Sequence, residues 1–265
     1  MSPSSGCHQA EGIVSWANSS GDLQAPDKGS TRILEPLRKA TMESAIPRKN
    51  LTPTFVGLVI ALFALPVFMA TYRAITGENH SNGQVLGREF AIFVLVGLLL
   101  WIVKRWELLP LTSIGLRINM LRASLLRGLG LAVIVLAVTV GLYLLLRGIG
   151  VHLGEDRGSV FHPSLVVVTV SMLRAGVAEE IFYRGFAIER LQSLTGSKLL
   201  AGLVPLTIFA VSHYRQGVGG IVAALVLGGI LTVFYMKFRD LLANITAHFL
   251  ADFVLNVVLP LVAGG

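Results

Sequence analysis

Seven ionisable residues stand inside or at the edges of the last four hydrophobic runs of the chain: Arg174, Glu179, Glu180, Arg184, His213, His248 and Asp252. Charged groups inside hydrocarbon are costly, roughly 2.5–3.5 kcal/mol each on insertion scales, so they mark sites of use. On a helix, Glu180 and Arg184 are i,i+4 neighbours that neutralise each other on one face. Glu179 lies about 100° away around the same helix and is left without that partner. Read structurally, both carboxylates are ion pairs, with Arg174 serving Glu179, but a spacing of five residues is a poor face match. Read functionally, Glu179 is a buried charge with no fixed partner, which is expensive to keep unless it acts.

Two histidines lie on later runs. His213 ends the run Phe209-Ala210-Val211-Ser212-His213, where a lone histidine is ordinarily interfacial or capping. His248 sits mid-run, and Asn244, His248, Asp252 and Asn256 recur every four residues as a polar stripe on an apolar helix. Such a stripe faces a bundle interior or a water-filled cavity, as a catalytic face or as a structural hydrogen-bond ladder. A free glutamate, two histidines and a second acid make a hydrolytic set: the glutamate as general base on water, a histidine to orient that water or stabilise an oxyanion. The same residue types also suit zinc, through Glu179, His213 and His248, although no HExxH pair is present and the ligands would come from three helices.

These residues need rigid apolar elements to hold them, and the composition supplies such elements. Of 265 residues, 54% are hydrophobic and only 14% charged, and the mean hydropathy is +0.72. Soluble domains carry about a quarter charged residues. The pattern is that of an all-α, polytopic transmembrane bundle. Seven apolar runs are expected, near 53–75, 90–103, 129–146, 164–185, 199–214, 218–236 and 241–262, most close to the ~20 residues needed to span. Pro66 is expected to kink the first run, and the fourth helix to continue to about Ser193 as an amphipathic tail. An eighth, split or re-entrant element is allowed by the glycines and prolines in runs five and six. A polar loop is expected at 77–88, a basic amphipathic connector at 104–127, and a second polar loop, with Glu155 and Asp156, at 147–163. Runs one to three carry almost no ionisable residues and read as scaffold.

Residues 1–50 read as a disordered cytoplasmic tail and 51–265 as one membrane domain, with the chemistry confined to 164–256. No apolar core stands near the start, which argues against a signal peptide. The net charge of +7 does not imply a nucleic-acid partner, because the basic residues cluster at the ends of apolar runs. They favour a cytoplasmic N-terminus, a plasma-membrane location and the lipid bilayer as immediate partner. That orientation sets Glu179, Glu180 and Arg184 near the cytoplasmic end of their helix. A plain seven-span count then leaves His213 on the opposite side. The single cysteine, Cys7, excludes an intramolecular disulfide framework or a cysteine-rich metal site.

The ordered motifs Glu179-Glu180-Ile181-Phe182-Tyr183-Arg184, Phe209-Ala210-Val211-Ser212-His213 and His248-Phe249-Leu250-Ala251-Asp252 resemble the EExxxR, FxxxH and HxxxN/D pattern of the CAAX-processing and bacteriocin-processing (CPBP, or Abi) family of intramembrane proteases. That family includes the Ras-converting CAAX endopeptidase. Thr112-Ser113-Ile114-Gly115-Leu116-Arg117 is similar to the family's linker. The resemblance covers roughly the last hundred residues and implies a membrane endopeptidase acting on a peptide or lipidated protein. By it, Glu179 is the general base and His213 helps to hold the water, which requires run five to be tilted, broken or re-entrant. Glu180 and Arg184 brace the helix, and His248 with Asp252 supplies the oxyanion site. A metal-independent mechanism is expected, with zinc the alternative. The commoner residue at the last position is Asn, whose amide donates to an oxyanion. Asp252 does so only when protonated; otherwise it orients His248, or Asn256 one turn on supplies the donor. Two other functions are compatible with intramembrane Glu and His: a non-proteolytic immunity or scaffold protein of the same fold, and an ion- or proton-coupled transporter. The transporter calls for an inverted repeat, and none is visible.

Overall fold

The computed structural model describes residues 50–77, 81–151 and 164–263. The expected tail, Cys7 and the loop acids Glu155 and Asp156 lie outside the described residues, apart from Asn50. Among the described residues there are seven helical runs and no strand, and the chain is a helical membrane-type bundle. Helix α1 is Thr52–Thr76 and runs through Pro66. Helix α2 is Asn82–Trp101, extended by a π turn at Ile102–Trp106. Helix α3 is Leu121–Gly148. Helix α4 begins as Leu165–Glu179, widens to a π-helix at Glu180–Ile188 and closes as Glu189–Thr195. Helices α5 and α6 are Lys198–Ser212 and Gly217–Phe238. Helix α7 is Leu241–Phe253, extended through Val254–Val258 to Leu259–Ala263.

Five runs are long and apolar enough to cross a membrane, and α5 is an apolar helix shorter than these. Only 17–33% of the most apolar window of each of the five is buried within the protein. The outward faces are therefore apolar, with Phe55, Val59, Leu126, Leu144 and Val233 among the exposed residues. A bundle that turns such faces outward is solvated by lipid.

Two boundaries differ from the sequence reading. The polar loop expected at 77–88 is shorter. Gly77 ends α1 at φ +75°, and a capping box restarts the helix at Asn82. Ser81 Oγ accepts from Gln84 N at 3.3 Å, and Gln84 Oε1 accepts from Ser81 N at 2.8 Å. Two backbone donors are satisfied reciprocally, so a polar sequence starts a helix rather than a loop. The connector after α2 is likewise shorter than expected, because α3 begins at Leu121. Its first turns are held by Asp240, which accepts from Ser124 Oγ at 3.0 Å and Arg127 Nη1 at 3.1 Å.

Contacts at the helix ends give the directions. Tyr72 donates to the Gln84 carbonyl and Thr54 to Glu107 Oε1, so α1 and α2 are antiparallel. Ser164 N donates to Asn82 Oδ1 at 3.2 Å, which sets the starts of α2 and α4 side by side. The linker 111–117 packs under the ends of α4 and α6. Gly115 there has φ +76°, and a Cβ would come within 2.8 Å of Tyr235 Oη; only glycine fits both the left-handed backbone and the space. Its carbonyl accepts from Leu241 N at 3.0 Å. Arg190, on the segment expected to be an amphipathic tail, is buried. It pairs with Glu107 (Nε to Oε2, 2.9 Å) and donates to Ser113 Oγ at 3.1 Å.

Candidate active site

Glu180 is the middle residue of the continuous α4 run, Leu165 to Thr195, so about 22 Å of helix lies on either side of it. The motif therefore sits deep in the bundle, not at a helix end. The reason is that α4 continues past Gly185 as a packed helix, where Phe182, Phe186 and Ile188 are all buried. The chain then turns at Gly196 (φ +68°), and α5 returns over fifteen residues, again about 22 Å. This brings His213 back to the level of Glu180. A short helix thus resolves the mismatch between His213 and Glu179 that a plain count of spans creates.

The carboxylate of Glu180 is sealed, with 0% of its side chain exposed. Arg184 Nη1 donates to Oε1 at 2.9 Å, Asn244 Nδ2 to Oε2 at 3.0 Å, and His248 Nδ1 to Oε1 at 2.8 Å. Arg184 is fixed in turn by the Gly228 carbonyl at 3.1 Å and by the Phe209 ring, 4.4 Å from its Cζ. A Cβ at Gly228 would lie 2.9 Å from Arg184 Nη2 and 2.8 Å from Phe209 Cε1. The bare backbone at 228 is what lets the guanidinium reach the carbonyl. Asn244 also donates to the Leu231 carbonyl at 2.9 Å. Glu180 thereby ties α4, α6 and α7 into one polar knot.

Glu179 differs in kind. Its side chain is 16% exposed and that of His248 12%, and His248 Nε2 stands 3.9 Å from Glu179 Oε2. Because Nδ1 is committed to Glu180, Nε2 is the histidine atom that faces Glu179 and Asp252. Asp252 Oδ2 is 3.5 Å from that nitrogen and its side chain is 30% exposed. His213 Nδ1 is tied to the Phe209 carbonyl at 2.8 Å, and its ring packs edge-on against Phe209, centroids 4.7 Å apart. Asp252 is within electrostatic reach of Glu179, Arg174, His213 and His248. Glu179, His248 and Asp252 thus stand together, each partly exposed, with Glu180 and Arg184 sealed behind them, while His213 bonds to Ser212 and Phe209 of its own helix.

Three expectations are corrected. Glu179 is not without a partner: Arg174 Nη1 approaches Oε1 at 3.2 Å. The long guanidinium stem bridges the i,i+5 spacing because it is anchored elsewhere, on Glu89 of α2. Glu89 precedes the expected second run (90–103) but belongs to the helix that contains it, so the N-terminal helices are not pure scaffold. Asn256, a candidate oxyanion donor, is exposed and gives its amide to the Asp252 carbonyl at 2.8 Å. The helix widens at Val254–Val258, which breaks the four-residue spacing and carries Asn256 off the stripe.

Among the described residues, no three His, Cys, Asp or Glu side chains are grouped so as to share a metal ion. His248 Nδ1 is occupied by Glu180, and the best-buried carboxylate is already saturated by Arg184, Asn244 and His248.

Fold and site together define a helical membrane protein with an acid–histidine centre inside the bundle. Residues 161–254 match the model of the type II CAAX prenyl endopeptidase Rce1-like family. This span includes every site residue except Glu89. The match covers about a third of the chain, and over that part the chain is similar to that family of CAAX proteases. Comparison with curated proteins and with solved structures returned no match. The apolar helices make the chain a multi-pass membrane protein.

Proposed function

We propose that the protein is an intramembrane endopeptidase that hydrolyses a peptide bond in a membrane-associated peptide or lipidated protein. Prenylated CAAX ends are the substrate class named by the matching family. The observation that carries the reading is the division of the two adjacent carboxylates. Glu180 is sealed and triply bonded, whereas Glu179 is partly open and faces His248 Nε2.

In this mechanism Glu179 accepts a proton from a water molecule whose oxygen attacks the scissile carbonyl carbon. His213, at the same level on α5, helps to hold that water. The carbonyl oxygen becomes an oxyanion beside His248. As an imidazolium, balanced by Glu180 at one nitrogen and Asp252 near the other, His248 donates Nε2–H to it. The intermediate collapses as the C–N bond breaks, and the proton held by Glu179 passes to the leaving amine. Asp252 orients His248, or donates in its acid form as the commoner Asn would. The water is activated by Glu179 alone in this reading, so activity of purified protein is expected to survive thorough chelation. Zinc that copurifies stoichiometrically and restores lost activity would reverse that choice.

The membrane peptidome of cells carrying wild-type protein, compared with cells carrying Glu179→Ala, tests the reading. Products that vanish in the variant, at equal protein level, are expected. Identical peptidomes would sink the assignment.

A further inference from the structure

Glu89 of α2 is fully buried, yet no motif on α4, α5 or α7 calls for it. Its carboxylate accepts from Ser171 Oγ at 2.9 Å and Arg174 Nε at 2.5 Å, and Arg88 also donates to it. Arg174 is shared: Nε serves Glu89 while Nη1 reaches Glu179 at 3.2 Å. Its side chain is 11% exposed, so few other partners are open to it. The parallel start of α2 and α4 at Asn82 and Ser164 sets the register that brings Glu89 to Ser171 and Arg174.

We propose that Glu89 is a positioning residue for the reaction, acting through Arg174 on Glu179; the inference rests on Glu179 being the general base. Glu89 holds the guanidinium back by its Nε edge, so that a single N–H touches Glu179 Oε1. That contact fixes the carboxylate's rotation and leaves Oε2, the oxygen nearest His248 Nε2, open to water. Were Glu89 neutral, the bidentate fork of Arg174 would have Glu179 as its strongest remaining acceptor and would close over both oxygens. An arginine five residues from the base is then useful only while a second carboxylate, on another helix, restrains it. Arg88 compensates the extra negative charge, so the two acids and two arginines together are neutral.

The test is a double-mutant cycle in the full chain, reading kcat and KM separately. The probe is a farnesylated peptide ending in a CAAX sequence, with a fluorophore and quencher flanking the scissile bond. Glu89→Gln and Arg174→Gln are each expected to lower kcat about tenfold or more with KM within about twofold, since misplacing a reacting group costs rate rather than binding. The double variant is expected to match the Arg174→Gln single, because Glu89 has nothing to act through once the arginine is gone. Thermal unfolding of each variant corrects kcat for folded fraction, and Glu89→Asp, which keeps the charge, is expected to recover at least a third of the wild-type kcat. Losses that multiply in the double variant, or that fall on KM, would overturn the positioning role. Full cleavage by Glu179→Gln would overturn the general-base role of Glu179 and with it this inference, whereas no cleavage by the wild-type protein would overturn the endopeptidase reading itself.

Discussion

At the scale of single residues, adjacent glutamates are given opposite tasks by what surrounds them. Glu180 is held by three side chains from two helices, and a sealed carboxylate of that kind contributes structure. Glu179 keeps one oxygen close to a histidine and to open space. The asymmetry predicts different phenotypes. Arg184→Ala leaves Glu180 as an uncompensated buried charge, and breaking a buried pair costs about 3–5 kcal/mol. A lower unfolding midpoint in detergent, together with lower activity, is the expected result; unchanged thermal stability would remove the brace. Asp252→Asn is expected to keep activity within a few-fold, because an amide supplies the donor that the acid form supplies, whereas Asp252→Leu loses about 100-fold. Equal losses in the two variants would show that the negative charge of Asp252 is what matters.

At the scale of elements, the site depends on helices that approach closely and on one helix that is wound loosely. The π-helical stretch Glu180–Ile188 contains both Glu180 and Arg184, and π turns are frequent at functional sites. The close approach is at Gly228, where α6 brings its backbone to within hydrogen-bonding distance of Arg184. A methyl group there meets Arg184 and Phe209 at 2.9 and 2.8 Å. Neither neighbour has a way to retreat, since one is locked to Glu180 and the other lies under Arg184. Gly228→Ala is therefore expected to destabilise by roughly 1–3 kcal/mol and to lower kcat. A fully active, fully stable Gly228→Ala would show that α6 moves freely relative to α4.

At the scale of the whole molecule, the basic residues collect at one end of the bundle. Lys104, Arg105, Arg122, Lys198, Lys237 and Arg239 all belong to the end where α2, α4 and α6 finish and α3, α5 and α7 begin. We propose, from the bias of basic residues alone, that this end is the cytoplasmic one. In a Cys7→Ser background, a membrane-impermeant maleimide added to intact cells is expected to label Ile149→Cys and to leave Asn119→Cys unmodified. The opposite pattern would invert the orientation.

The three polar motifs were legible in the sequence because their information is local. A glutamate and an arginine four apart share a helix face, and so do a histidine and an aspartate four apart, whatever the fold. The apolar runs were legible for the same reason, since hydropathy is a property of consecutive residues. Residues such as Glu89 and Gly228 carry no local signal. Glu89 falls between the stretch that reads as polar loop (77–88) and the apolar run 90–103, and a sequence rich in glycine does not single out 228. The level of His213 relative to Glu179 was also hidden, because it depends on where α4 ends and how short α5 is. The sequence by itself determined the class of protein and the residues of the centre. Only the tertiary structure decided which oxygen each of them faces and which distant helix restrains Arg174. Those are contacts between helices, set by register and close packing, and residues far apart in the chain do not announce them.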